Sequence, residues 1–304
     1  MSRLVNVGNV IIDIVMYLPE LPVRGGDMIA SASEVLPGGG MNVMVSAVRQ
    51  GLPTVYGGMH GTGPFGDLAR RAMRAAGIGI LQAPFPGKDT GFDVALVEES
   101  AERTFATSVG ADGELGADDL AQIAVRPTDF VYVSGYGLVH AKNGPALAGW
   151  LATIDPAATV VFDPGPLVAD IPAPVLDPVL DRTDWCSCNQ REAALLAGIT
   201  DPFGAARAIA KKADAGAVVR TGPHGCVLAT PEHAAEEIGG FAVTAVDTNG
   251  AGDAHVGAFV AGLAAGLTPG AAALRANAAA ALAVTRRGPT CAPSAMEVDA
   301  LLAG

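Results

Sequence analysis

Val246-Asp-Thr-Asn-Gly-Ala-Gly-Asp-Ala-His-Val-Gly-Ala-Phe259 sets two glycines, Gly250 and Gly252, against the start of a long apolar helical pattern (Val256, Phe259, Val260, Leu263). The first turn of a helix carries N–H groups without intrahelical partners and the positive end of the helix dipole. Small residues there let an anion reach the N–H groups of Gly250, Ala251 and Gly252 directly. The same field favours the ionised form of an acid within that turn, Asp253. A carboxylate beside an anion hole suits removal of a hydroxyl proton while developing phosphate charge is stabilised. An ordinary helix start with an acidic residue is written the same way, so this segment alone leaves both readings open.

Outward from it, strand and helix signals alternate. Residues 4–12 read as a buried strand ending at Asp13, and 54–58, 130–134, 159–163, 184–188 and 217–221 as further strands. Helical spacing marks 42–50, 67–76, 145–153, 192–197, 203–213, 252–265 and 270–286. This alternation predicts an α/β fold: a doubly wound, mostly parallel sheet with helices on both faces, as one domain over residues 1–304. Two stretches, about 14–37 and about 90–109, carry hairpin signals without an intervening helix. They predict a small β-sheet lid, with edge strands of the main sheet as the alternative.

Composition narrows the function. Of 304 residues, 50% are hydrophobic and 16% charged, so a large core can be buried. The net charge of −12 works against nucleic-acid and anionic-membrane partners, and 5% aromatic residues leave little for base stacking. No stretch approaches the roughly 20 apolar residues of a membrane span, and Asn6, Asn9 and Asp13 interrupt the N-terminal apolar pattern; a cytoplasmic protein is expected. Cys186, Cys188, Cys226 and Cys291 have no zinc-site spacing and read as reduced thiols. His60, His140, His224, His233 and His255 form no metal-binding spacing; His255, two residues beyond Asp253, falls off that helix face and reads as a packing or surface residue.

Asp247-Thr-Asn-Gly-Ala-Gly-Asp253 with Gly257-Ala258 resembles the C-terminal signature of the ribokinase-like sugar and nucleoside kinases, and Gly38-Gly-Gly-Met-Asn42 resembles their N-terminal signature. The resemblance covers nearly the whole chain. It implies an ATP-dependent carbohydrate kinase, using Mg²⁺, in which Asp253 deprotonates an acceptor hydroxyl and the backbone of Gly250, Ala251 and Gly252 holds the transferring phosphoryl group. It further implies that Asp13, Gly39, Gly40 and Asn42 bind the sugar. Asn189-Gln-Arg-Glu192 resembles the family's phosphate-proximal motif, with Glu192 reaching Mg²⁺ through water. Thr221, Gly222 and Gly225 resemble its nucleotide-binding turn, and Asn277 falls where the family lines its adenine pocket. Asp247, Asn249 and Gly288 match a monovalent-cation loop, leaving activation by K⁺ open. A homodimer through the lid is also compatible.

There are departures. Gly61-Thr-Gly-Pro-Phe-Gly66 has Gly63 where the family often carries an acid, and Ala292 replaces a hydroxyl residue near the cation loop. Arg103 is expected as a solvated lid charge, with substrate contact as the alternative. Among the aromatics, Tyr17, Phe92 and Phe105 are candidates to stack on a nucleoside acceptor or to pack the lid. Gly61-x-Gly63-x-x-Gly66 also spells a dinucleotide fingerprint, but an acidic partner about 20 residues on is missing, so a nicotinamide-dependent oxidoreductase is the distant alternative. A catalytically silent sugar sensor is countered by the intact Asp253.

Overall fold

A computed structural model describes residues 2–100, 102–288 and 290–304. Its large sheet comprises β1 (Leu4–Asn6), β4 (Thr54–Tyr56), β5 (Gly79–Ile80), β8 (Phe130–Ser134), β9 (Thr159–Asp163), β10 (Trp185–Asn189), β11 (Gly216–Arg220), β12 (Gly225–Ala229) and β13 (Glu236–Gly239). The order is β13-β12-β11-β10-β9-β8-β1-β4-β5. Strands β1, β4, β5, β8, β9, β10 and β11 run parallel, while β12 and β13 complete one edge as antiparallel strands. The chain proceeds from β1 towards β4 and β5, then returns to the other side at β8. That reversal is a topological switch point, and in such sheets ligands bind outside the carboxyl ends of the strands there.

Helices cover both faces, as the alternation predicts. One face is sealed by the helices Gly40–Arg49, Ala251–Ala264 and Pro269–Ala283. Val256, Phe259 and Val260 are fully buried there, each such side chain contributing about 1.5–3 kcal/mol of hydrophobic stabilisation. Phe259 meets Trp185 of β10 edge to face, ring centres 5.2 Å apart. Gly257 lets two helices approach closely: a Cβ there would lie 2.5 Å from Ser46 Cβ and from the Val43 carbonyl. The other face packs Leu147, Leu151, Val179 and Ile209 against the sheet. Helices Ala173–Asp181 and Ala295–Ala303 were not anticipated; the first carries Pro178 in its interior, which masks it in sequence.

A second sheet, ordered β3-β2-β6-β7, consists of β2 (Val10–Leu18), β3 (Ala32–Gly39), β6 (Phe92–Glu98) and β7 (Arg103–Ser108). One expectation is corrected here. Residues 4–12 are not one strand, and Asp13 does not end the first strand. The chain breaks at residues 7–9, where Asn6 Oδ1 accepts from Gly8 N (2.8 Å) and Asn6 Nδ2 donates to Gly40 O (3.1 Å), and Asp13 lies inside β2 of the second sheet. The local side-chain bond of Asn6 competes with the ladder and turns the chain out of the large sheet. Among the described residues no helix is long and apolar enough to cross a membrane.

Candidate active site

The two glycine-rich segments meet. Asn42, on the helix Gly40–Arg49, donates from Nδ2 to Asp253 Oδ2 at 3.0 Å, and Ser46 Oγ donates to the Ala254 carbonyl at 2.7 Å. Gly250 is the left-handed residue that starts the helix Ala251–Ala264 (φ 73°), a conformation natural to glycine. The N–H groups of Gly252 and Asp253 lie in the first turn, where no intrahelical acceptor exists. The Ala251 N–H is held weakly by Thr248 O at 3.4 Å. Burial pushes the Asp253 carboxyl up to about 7; the Asn42 bond and Arg220 work against this, while Asp163 and Glu192 add to it.

Carboxyl ends of the parallel strands supply the floor. Arg220, the last residue of β11, donates from Nη1 to Asp163 Oδ2 (3.2 Å) and Ser187 Oγ (2.8 Å), and its Nη2 lies 3.5 Å from Glu192 Oε2. Burial opposes the Arg220 charge, but Asp163 and Glu192 more than offset it and hold the guanidinium protonated. A Cβ on Gly252 would sit 3.5 Å from the Arg220 guanidinium, so this cation reinforces the positive helix start from beneath. Asn189 and Glu192 form a reciprocal cap: Asn189 Oδ1 accepts from Glu192 N (2.9 Å) and Glu192 Oε2 from Asn189 N (2.8 Å). The Glu192 carboxyl is raised by burial and by Asp163.

Thr221, Gly222 and Gly225 form the turn from β11 into β12. Gly222 (φ 67°) and Gly225 (φ 99°) both need the left-handed region, and Thr221 Oγ1 is buried without a partner. A buried hydroxyl without a partner in a glycine turn fits a nucleotide phosphate, and Glu192, buried one strand away, fits the hydrated Mg²⁺ of such a nucleotide. Asn277 is corrected: its Nδ2 donates to Ile238 O (2.9 Å) and Gly239 O (3.1 Å), and its Oδ1 pairs with His255 Nε2 (3.1 Å). The amide is thus occupied in bracing β13 rather than facing an open pocket. His255 is buried, and burial together with Arg220 lowers it to about 3, so it stays neutral.

In the small sheet, Asp13 pairs with Leu36 of β3 on one side and Asp93 of β6 on the other. Burial, then Asp93, then Asp253 raise Asp13 to about 7, which puts all three acids in one electrostatic neighbourhood. The glycines of this segment let the chain approach itself closely. A Cβ on Gly38 would lie 2.1 Å from the Asp13 carboxylate, and one on Gly39 (φ 59°) 2.7 Å from Asn9 O. Tyr136, just beyond β8, sits in the field of Asp253, Asp163, Glu192 and Asp93; burial and these acids push its hydroxyl up to about 12.

The Asp247 carboxylate of the cation loop is already engaged by the chain. Asp247 Oδ1 accepts from Asn249 N (2.9 Å) and from the Arg103 guanidinium, and Oδ2 accepts from Gly288 N (3.1 Å). A covalently tethered cation already neutralises the carboxylate. Arg103 is therefore neither a solvated lid charge nor turned to substrate; it ties β7 to the Asp247 loop. The dinucleotide alternative also falls. Asp89 accepts from Phe65 N (3.0 Å) and Gly66 N (2.7 Å) at the start of the helix Pro64–Ala75, and a Cβ on Gly63 would meet its carboxylate at 2.3 Å. That anion seat is filled by the chain. Of the aromatic candidates, Phe92 packs on Phe65 with ring centres 5.3 Å apart.

Sequence reading missed Asp93, Asp163, Arg220 and Tyr136. A signal existed for two of them: Asp163 and Arg220 are polar residues closing apolar parallel strands, where ligands gather. Asp93 is a lone acid within the apolar Phe92-Asp-Val-Ala-Leu-Val97, and nothing in that pattern sets it beside Asp13.

Known proteins share this fold and family. The family model described as pfkB family carbohydrate kinase matches residues 1–295. An uncharacterized sugar kinase of Escherichia coli (strain K12), YegV, is 32% identical over 300 residues, spanning 96% of this chain and 91% of that protein. An ATP-dependent ribose-1-phosphate kinase of Halopiger xanaduensis is 30% identical over 309 residues, covering 99% and 98%. Among solved structures, the ribokinase of Thermotoga maritima superposes with a TM-score of 0.81 at 24% identity over 99% of both chains. An Escherichia coli protein described as ribokinase II, in complex with ATP and Mg²⁺, gives 0.85 at 23% identity over 100% of this chain and 99% of that one. At these identities the structures establish the common fold.

Proposed function

The chain belongs to the pfkB family of carbohydrate kinases, a sugar or nucleoside kinase of ribokinase type, and from that premise we propose that Asp253 is the general base for phosphoryl transfer from ATP to an acceptor hydroxyl. The observation that carries this reading is the 3.0 Å bond from Asn42 to Asp253, which joins the two glycine segments into one site. Bound ATP supplies the phosphoryl group, and Mg²⁺ neutralises part of its charge.

Asp253 takes the hydroxyl proton onto its carboxylate. The amides at the helix start around Gly250, Ala251 and Gly252 receive the developing oxyanion charge, with Arg220 beneath them. Asn42 holds the base in place, and Asp13 accepts from acceptor hydroxyls. Asn189, Thr221, Gly222 and Gly225 line the nucleotide end, where Glu192 would hold Mg²⁺ through water. The small sheet acts as a lid that excludes water. Exposed Val35 and Phe105 on it support pairing of two lids in a homodimer. The acidic surface and the absence of a membrane-spanning helix among the described residues support a cytoplasmic enzyme without nucleic-acid partners.

The direct test is ADP release measured over free pentoses, hexoses, nucleosides and their phosphates. At least one acceptor is expected to be phosphorylated; a chain that turns over none of them would refute the reading. Asp13→Ala is expected to raise KM for that acceptor by on the order of 10–100-fold and leave KM for ATP unchanged. Equal effects on both would remove Asp13 from the acceptor site. Since Arg103 neutralises Asp247, the rate is expected to be the same in KCl and in N-methylglucamine chloride of equal ionic strength. Strong activation by K⁺ would show that the guanidinium gives way to the ion.

A further inference from the structure

The acceptor end of the cleft is furnished with hydrogen-bond acceptors that lack donors. Asp13 and Asp93 are register partners on the neighbouring parallel strands β2 and β6, so they lie side by side on one face of the small sheet, and each is only 8% exposed. Asp93 Oδ1 has no hydrogen-bond partner, nor have Asn42 Oδ1 and Asn9 Oδ1. Asn42 and Asn9 are buried too, and their amide nitrogens are taken, by Asp253 (3.0 Å) and by the Asp112 carbonyl (3.2 Å). Only oxygens remain. A buried acceptor without a donor is costly, and a ligand rich in hydroxyl donors removes that cost.

Charge points the same way. Among the described residues neither Asp13 nor Asp93 forms a salt bridge, the ion pairs nearest the site belonging to Arg220 and Arg103. Burial raises Asp93 to about 6 and Asp13 to about 7, so the pair retains negative charge at neutral pH. Tyr136 stays a neutral donor. Among the described residues Asp13 and Asp93 have no cationic partner; Arg103 and Arg287 lie in the field of Tyr17, four residues further along β2, in contrast with Arg220, which sits directly under the helix start.

We propose that Asp93 is a specificity-determining residue which, with Asp13, selects an uncharged polyhydroxy acceptor and rejects acceptors that already bear a phosphate or carboxylate. The proposal rests on the kinase reading above and deepens it to a substrate class. An Ala or Val at position 93 would leave Asp13 the only carboxylate of the pair. Asp93 supplies a second set of acceptor oxygens and a second repulsive charge.

The test compares kcat/KM for D-ribose, D-fructose and adenosine with that for ribose 1-phosphate, ribose 5-phosphate and gluconate. In the wild-type chain the best neutral acceptor is expected to exceed the best anionic one by on the order of 100-fold or more. Asp93→Ala should raise KM for the neutral acceptor about 10–100-fold, leave KM for ATP unchanged, and narrow the neutral-over-anionic preference about 10-fold. Asp93→Asn keeps the shape and one acceptor oxygen, so it should narrow the preference with a smaller rise in KM; a merely structural role would not move that ratio. A wild-type chain that prefers an anionic acceptor, or Asp93 variants with an unchanged ratio, would overturn the proposal. The same compounds are measured by equilibrium binding to the catalytically impaired Asp253→Asn chain. If no acceptor is turned over, the kinase reading falls while this binding arm still decides the preference.

Discussion

Asp253→Asn is expected to lose turnover and gain stability together. Removing the base should lower kcat by on the order of 10²–10⁴, with ATP affinity little changed, because Asn keeps the shape but cannot take the proton. The gain in stability follows from the environment of the carboxyl. Burial raises Asp253 from 3.8 to about 7. A carboxyl whose folded-state pKa lies above its unfolded value favours folding fully below about pH 4, and that contribution is lost as pH rises through about 7. At pH 8 the wild-type chain therefore bears the cost of a charge in a poorly solvated site, and the amide does not. Three units correspond to about 4 kcal/mol, but Asn42 and solvent at this half-buried residue compensate the charge. A gain of on the order of 1–3 kcal/mol, or roughly 2–8 °C in Tm, is the reasonable expectation. Below pH 4 the difference should vanish. Near-normal turnover would remove Asp253 as the base, and a fall in Tm at pH 8 would show that the carboxylate is better solvated than its surroundings indicate.

With Asp253 as the proposed base, the same shift would set the pH dependence of the reaction. Asp253 must be ionised to accept a proton, so kcat should rise with pH through about 7 and level off above it. Stability carried by Asp13, Asp93 and Asp253 moves the opposite way over that range, since all three are raised. On the proposed assignment, Asp253 would gain activity over the same pH range in which it loses stability.

How much of this could be read from sequence depends on what carries each residue. Asp253 and Asn42 were legible because glycines beside them mark backbone that must approach something closely. The parallel strands were legible because unbroken apolar stretches such as Phe130–Ser134 and Thr159–Asp163 alternate with helical spacing. Asp93 was not, because only the register of β2 with β6 sets it beside Asp13. Arg103 was misjudged for a related reason: a charge on an exposed strand looks solvated until the fold brings Asp247 to it. Asp13 was placed on the wrong strand, since the break after Asn6 rests on a side-chain bond to Gly8 and Gly40 rather than on a change of hydropathy.

Arg220 carries the largest expected structural effect. Replacement by Met would leave Asp163 and Glu192 without their cation, and breaking one partner from a buried ionic cluster typically costs about 3–5 kcal/mol. Catalysis should respond separately. Arg220 lowers the pKa of Asp253, so its removal should move the acid limb of the kcat profile to higher pH, and it should weaken the positive field under Gly252. Arg220→Met with Asp163→Asn removes one of the uncompensated acids and should recover part of the stability without recovering kcat. Arg220→Lys keeps the charge but cannot reach Asp163, Ser187 and Glu192 with one planar fork, so it should fall between. Urea unfolding and pH–rate profiles of the three variants separate the two roles. An Arg220→Met chain as stable as the wild type, with its acid limb unmoved, would mean that the acids under the helix start are solvated and that the anion site draws its field from the helix alone.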